Sequence, residues 1–191
     1  KTGSPRNLYW MSADGTGQVT RLAESPGEQY PASWHPSGKF LGYTENRGAT
    51  GWDAMILPME GDAAKGWTAG TPTVLLGTTA HEDTPMFSPD GRFVAYYYTE
   101  GGGTNYDVYV RPFPGPGGPW RVSANGGMYP RWSSTTHQLL WIDVAQLKVM
   151  FAPFSVVGDA FVPGKPELWS PKGFLWVADG NSYYDLHPDG K

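Results

Sequence analysis

In FSPDGRFVAYYYTE, Phe87 to Glu100, a Pro-Asp-Gly turn stands directly before an alternating aromatic and aliphatic run. Pro89 fixes φ at the first central turn position and Asp90 bonds its own backbone. Gly91 takes the positive φ that closes the turn. One such unit makes one hairpin. Here the unit recurs. SWHPSGKFLGYTEN runs from Ser33 to Asn46, RWSSTTHQLLWIDV from Arg131 to Val144, and DLHPDGK from Asp185 to Lys191. Pro36, Pro89, Ser134 and Pro188 hold one place in the repeat, at the spacing of about 45–54 residues of a propeller blade.

Each interval has the same internal order. A strand ends in an aromatic (PASWHP, TPMFSP, YPRWSS), and a tight turn leads to a second strand (KFLGYTEN, RFVAYYYTE, HQLLWIDV). A third strand follows (WDAMILPME, YDVYVRPFP, LKVMFAPFS), then a Gly-rich turn and a short fourth (PTVLL, PWRVS, PELWS). Period-2 alternation marks these runs as strands, and four antiparallel strands per repeat make a blade. The expected fold is therefore all-β: a β-propeller of four-stranded antiparallel blades, about four per chain with one incomplete, in a single domain over residues 1–191. SSTTH lacks both Pro and Gly and is expected to be the least regular turn.

Composition agrees. The 26 Gly and 18 Pro suit many tight turns, and the 9 Trp, 11 Tyr and 8 Phe require a core. A net charge of −4 with no basic run longer than two residues argues against nucleic-acid binding. No apolar run is long enough to span a bilayer, and the N-terminus carries no signal-peptide pattern. A soluble bacterial protein of cytoplasm or periplasm is expected. Having no Cys, the chain forms neither disulfides nor thiolate metal sites, and leaves the compartment open.

The Pro-x-[Trp/Phe]-Ser-Pro-Asp-Gly-[Lys/Arg] strand and turn resemble the repeat of TolB-like β-propellers. They are closest to propellers attached C-terminally to bacterial Ser/Thr protein kinases. NLYWMSADGTG, PASWHPSGKFLGY, FSPDGRFVAYYYTEGG, YDVYVRPFPGPGGPWRVSANGG and YPRWSS carry the resemblance, the fourth most specifically. It extends over nearly the whole chain, with SSTTHQLLWIDVAQLKVMF as the main departure. Kinase motifs are lacking: there is no Gly-rich nucleotide loop, no His-Arg-Asp and no Asp-Phe-Gly. The resemblance thus implies a propeller without a kinase domain. RNLYWMSADGTGQVTRLA reads as a third and fourth strand, and YYDLHPDGK as a first strand and turn. From this arrangement a homodimer is expected, two chains closing one ring.

Propeller function sits at the mouth of the central channel, among residues just before each innermost strand: GEQYP, HEDTP, GGMYP and GNSYY. His81, Glu82 and Asp83 form the densest cluster, with Glu28 and Gln29 in the matching segment. His81, Glu82, Asp83 and Glu28 could hold a divalent ion (Zn, Ca or Mn), with Glu82 or Asp83 as general base for a metal-activated water. The plain alternative is solvated loop residues capping strand ends. His35 and His187 replace Ser88 and Ser133 just before the turn, where a turn-bonding role is expected. Asp53 and Asp107 recur on the third strand, with Asn7 and Lys148 in the corresponding places, and are expected to bond blade to blade. Trp67, in the long loop GDAAKGWTAG, is the candidate exposed contact aromatic. Two functions follow: a non-catalytic recognition or scaffold module, or a metal-dependent hydrolase of an ester, lactone or phosphoester.

Overall fold

The computed structural model describes residues 5–62, 64–100, 103–173 and 184–187, and the chain is built as an array of antiparallel blades. Blade 1 is the pair β1 (Tyr9–Trp10) and β2 (Thr20–Arg21). Blade 2 contains β3 (Gln29–Trp34), β4 (Phe40–Asn46), β5 (Trp52–Asp62), β6 (Gly66–Ala69) and β7 (Thr73–Leu76). Blade 3 contains β8 (His81–Phe87), β9 (Phe93–Thr99), β10 (Asp107–Pro112) and β11 (Trp120–Arg121). Blade 4 contains β12 (Met128–Trp132), β13 (Gln138–Asp143), β14 (Lys148–Val157), β15 (Ala160–Pro163) and β16 (Glu167–Leu168).

The expected strand order holds in all three fuller blades, and β1–β2 is the expected third-and-fourth-strand pair. Tyr9 faces Arg21 just as Tyr109 faces Arg121. The following first strand, expected over YYDLHP, lies partly outside the described residues; Tyr184 to His187 are not strand. No described helix is long and apolar enough to cross a membrane.

The turns share one frame. His35 N–H bonds Phe40 O, Ser88 N–H bonds Phe93 O, and Ser133 N–H bonds Gln138 O. Gly38 and Gly91 take φ of 71° and 73°. The SSTTH turn keeps the same frame without glycine, because Ser133 Oγ accepts from Thr136 N–H at 3.1 Å and Thr136 Oγ1 at 2.8 Å. Hydroxyls replace what Pro and Gly supply elsewhere.

The loop expected at Gly61–Gly70 is a hairpin. β5 runs past its blade and folds back, Gly61 facing Trp67 across β5–β6. β14–β15 does the same, with Val156 facing Phe161. Both hairpins start beyond an equivalent proline, Pro58 or Pro153, whose carbonyl accepts from Gly70 or Gly164. Blade 3 has no such hairpin.

Apolar strand faces meet between blades. Leu8 and Ala23 of blade 1 bury against Leu41, Tyr43, Met55 and Leu57 of blade 2. Phe87 and Val94 pack on Ile56. The largest cluster joins blades 3 and 4 around Phe93, Tyr97, Val108, Trp132, Leu139, Trp141 and Phe161. Polar bonds register these faces. Ser33 Oγ donates to Pro85 O at 2.8 Å and accepts from Phe87 N–H at 2.9 Å, and Trp132 Nε1 donates to Met86 O at 2.8 Å.

Candidate functional site: an axial cleft

The innermost strands β3, β8 and β12 each carry a bulge, where the register slips between Pro31 and Ser33, Asp83 and Met86, and Met128 and Arg131. A bulge re-aims side chains and ends regular pairing. Here the three bulges surround a cleft of about 420 Å³. Tyr30, Pro31 and Ala32 come from β3, Asp83 and Thr84 from β8, and Tyr129 and Arg131 from β12. Thr44, Trp52 and Tyr97 complete the wall from the strands behind.

The backbone at the cleft is strained. Thr84 and Tyr129, each before a proline, have φ of 53° and 55°. A β-branched residue in this left-handed region is an outlier, and such positions cost about 1–3 kcal/mol unless their surroundings hold them. Thr84 N–H is held by Asp83 Oδ1 at 2.6 Å and Thr44 Oγ1 at 3.0 Å. Asp83 organises the wall: Oδ1 also accepts from Thr44 Oγ1 at 2.7 Å, and Oδ2 accepts from Tyr97 Oη at 2.8 Å. Burial, reinforced by Asp83, pushes the Tyr97 hydroxyl well above the usual tyrosine range, so it stays a donor. Tyr30 Oη donates to Glu28 at 3.2 Å and accepts from Arg6 at 2.6 Å. Trp52 lies against Tyr30, ring centroids 5.5 Å apart. Arg131 brings positive charge to the rim, 3.8 Å from Asp185.

The four proposed metal ligands do not meet. His81, Glu82 and Asp83 are not loop residues; they begin β8, so neighbours point to opposite faces. Asp83 faces the cleft. Glu82 is fully buried and accepts from the hydroxyl and N–H of Thr78, fixing the turn that enters blade 3. Burial raises the Glu82 carboxyl above its ordinary range, with the Thr78 bonds opposing. The His81 ring lies by Gly51, where a Cβ would come within 2.9 Å of it. Glu28 is engaged by Tyr30. Among the described residues no three His, Asp or Glu side chains form a group that could hold a metal ion. Gln29 is buried and staples two blades, donating to Glu45 at 2.7 Å and accepting from Leu8 N–H at 3.2 Å.

Other sequence candidates have structural places. His35 Nδ1 accepts from Ser37 N–H at 3.1 Å, so Nε2 is the donor to Gly91 O at 3.1 Å in the next blade. In the equivalent place, Ser88 Oγ closes its own turn by accepting from Phe93 N–H at 3.0 Å, so both residues brace their turns, through different bonds. The third-strand aspartates bond within their blades rather than between them. Asp107 accepts from Ser123 Oγ at 2.7 Å and Arg121 at 2.8 Å, and Asp53 from Thr50 Oγ1 at 2.9 Å. Trp67 lies on β6, half-buried with its ring 4.7 Å from Trp34, away from the axial cleft. The GNSYY segment lies outside the described residues except Tyr184, whose hydroxyl donates to Tyr129 O at 2.8 Å.

Sequence reasoning did not single out Thr44, Trp52, Tyr97 or Arg131. Thr44 and Tyr97 sit inside strand runs that read as core. One signal was available: Tyr30, Thr84 and Tyr129 each precede the inner-strand proline.

No family model matches the chain, and no curated protein matches it. Fourteen chains of known structure do. One, described as "putative TolB from Agrobacterium tumefaciens", superposes with a TM-score of 0.61 at 19% identity. The match covers 87% of this chain and 59% of that one, so the chain spans less than two thirds of the relative's length. At this identity the likeness is one of fold: the chain shares the β-propeller architecture of that protein.

Proposed function

We propose that the chain is a non-catalytic recognition module, the sensor or scaffold end of a larger bacterial protein, with its ligand in the axial cleft. A relationship to kinase-attached propellers belongs to this proposal. The observation that carries it is the state of Asp83. Its two oxygens receive Thr44, Thr84 and Tyr97, so the carboxylate of the cleft wall holds the wall in shape. A general base or metal ligand needs a lone pair aimed at substrate or ion. The cleft also presents the Trp52 and Tyr30 rings, with Arg131 bringing positive charge to its rim. The wall combines aromatic rings with placed polar groups, a make-up suited to holding a ligand by stacking and hydrogen bonds.

A metal-dependent hydrolase would need His81, Glu82, Asp83 and Glu28 at one point, and their divergence weighs against it. The test is turnover. Protein purified without chelator is given p-nitrophenyl acetate, a γ-lactone and bis-p-nitrophenyl phosphate, with Zn, Ca or Mn. Rates equal to the protein-free blank are expected throughout, for wild type and for Asp83→Asn alike. Metal-stimulated hydrolysis that Asp83→Asn or Glu82→Gln removes would overturn the proposal.

A further inference from the structure

The Pro-Asp-Gly-type turns of neighbouring blades meet, and the contact between blades 2 and 3 differs from that between blades 3 and 4 at the residue before the turn. Between blades 2 and 3 the His35 ring fills the space between the turns. It stands edge-on to Phe87, centroids 5.0 Å apart, and tilts over Phe113 at 5.5 Å. Nδ1 accepts from Ser37 Oγ at 2.7 Å in its own turn, and Nε2 donates to Gly91 O of the next. The shared frame fixes the counterparts one blade on. His35 and Ser88 each bond the residue five places along, and Phe113 N–H bonds Arg92 O just as Phe154 N–H bonds His137 O. Ser88 thus holds the place of His35, Asp90 that of Ser37, Thr136 that of Gly91, and Phe154 that of Phe113.

Ser88 has no ring to fill that space. Its Oγ turns inward, donating to Asp90 Oδ1 at 2.6 Å and accepting from Phe93 N–H at 3.0 Å. A hollow of about 150 Å³ lies there instead, with Ser88, Asp90, Thr135, Thr136, His137 and Phe154 in its wall. A cavity of this volume takes one small ring. It shares no wall residue with the axial cleft, and both turns are described throughout. Its chemistry departs from the His35 contact in one respect. Ser37 offers a hydroxyl hydrogen, whereas a carboxylate at the same place only accepts. Asp90 Oδ1 takes Ser88 Oγ and Arg92 N–H, which leaves Oδ2 for a donor. Thr136 O takes Gln138 N–H at 2.8 Å and keeps a second lone pair.

We propose that this hollow binds a small planar heterocycle with two N–H groups, of which imidazolium is the type. One N–H meets Asp90 Oδ2, where His35 Nδ1 meets Ser37, and the other meets Thr136 O, where His35 Nε2 meets Gly91 O. The ring lies against Phe154, and the adjacent carboxylate favours the cationic form. The ligand makes, between blades 3 and 4, the contact that a side chain makes between blades 2 and 3. The site stands whether or not the axial cleft binds a ligand.

The probe is 4-methylimidazole, the free side chain of histidine, titrated at neutral pH into the ¹⁵N-labelled whole chain. Saturable amide shifts centred on residues 134–138 are expected, with half-saturation in the millimolar range. 4-Methylthiazole has the same shape and no N–H, and should bind at least about tenfold more weakly. Asp90→Asn keeps an acceptor for Ser88 and should weaken the probe about tenfold. Ser88→His places the ring in the hollow covalently, so the probe should no longer shift these amides. Shifts that do not saturate, thiazole binding as tight as that of the imidazole, or saturation that both variants leave unchanged would overturn the proposal.

Discussion

Trp141→Ala is expected to lower the free energy of unfolding by about 3–5 kcal/mol, a large part of the roughly 5–15 kcal/mol that holds a domain together. Trp141 is 1% exposed and sits on β13, facing Met150 of β14 across the strand pair. Its ring fills the space left by Gly127, where a Cβ would collide with the indole and lie 3.1 Å from Val108 Cγ2 of blade 3. The ring thus joins two blades at a point where the chain entering blade 4 passes with no side chain of its own. Truncation leaves a cavity that Gly127 cannot fill and that flanking strands cannot close without breaking their ladders. Urea unfolding of both proteins measures the loss. A difference below about 1 kcal/mol would mean the blade 3–blade 4 interface is not packed as described.

Gly91→Ala is expected to cost about 2–3 kcal/mol, from two separable sources. The first is φ of 73°, which disfavours any Cβ. The second is contact: a Cβ there would collide with His35 Nε2, lying 2.7 Å from Cε1 and 3.1 Å from Pro36 Cγ of the neighbouring blade. A double-mutant cycle separates them. In a His35→Ala background the collision is largely gone, so the cost of Gly91→Ala should fall to about 1 kcal/mol, the conformational part. Equal costs in both backgrounds would remove the blade-to-blade contact from the account, and no cost in either would remove the turn.

The repeat made most of the architecture legible, because a Pro-Asp-Gly turn before alternating apolar residues leaves few other structures open. What was hidden has physical reasons. The β5–β6 and β14–β15 hairpins were unreadable because GDAAKGWTAG and VVGDAFVPG are glycine-rich and their returning strands are only four residues long. Alternation over four residues beside glycines is indistinguishable from loop. The site was harder. His81, Glu82 and Asp83 look like a cluster in sequence, and they would be one on a loop. On a strand they divide between blade interior and axial cleft, and that division turns a candidate metal centre into one turn brace and one cleft acceptor. Thr44 and Asp83, 39 residues apart, meet only because blade 2 stacks on β8.

The axial cleft as a binding site is tested most directly by ¹H–¹⁵N spectra of the ¹⁵N-labelled whole chain titrated with a library of small polar aromatic and polyol fragments. Saturable shifts are predicted to centre on the Trp52 indole N–H, the Thr84 amide and the Arg131 side chain. Asp83→Asn, which loosens Thr44, Thr84 and Tyr97 together, should weaken the same fragments by about tenfold. Fragments that saturate only elsewhere on the surface, or that bind Asp83→Asn as well as wild type, would contradict the assignment of the cleft as the recognition site.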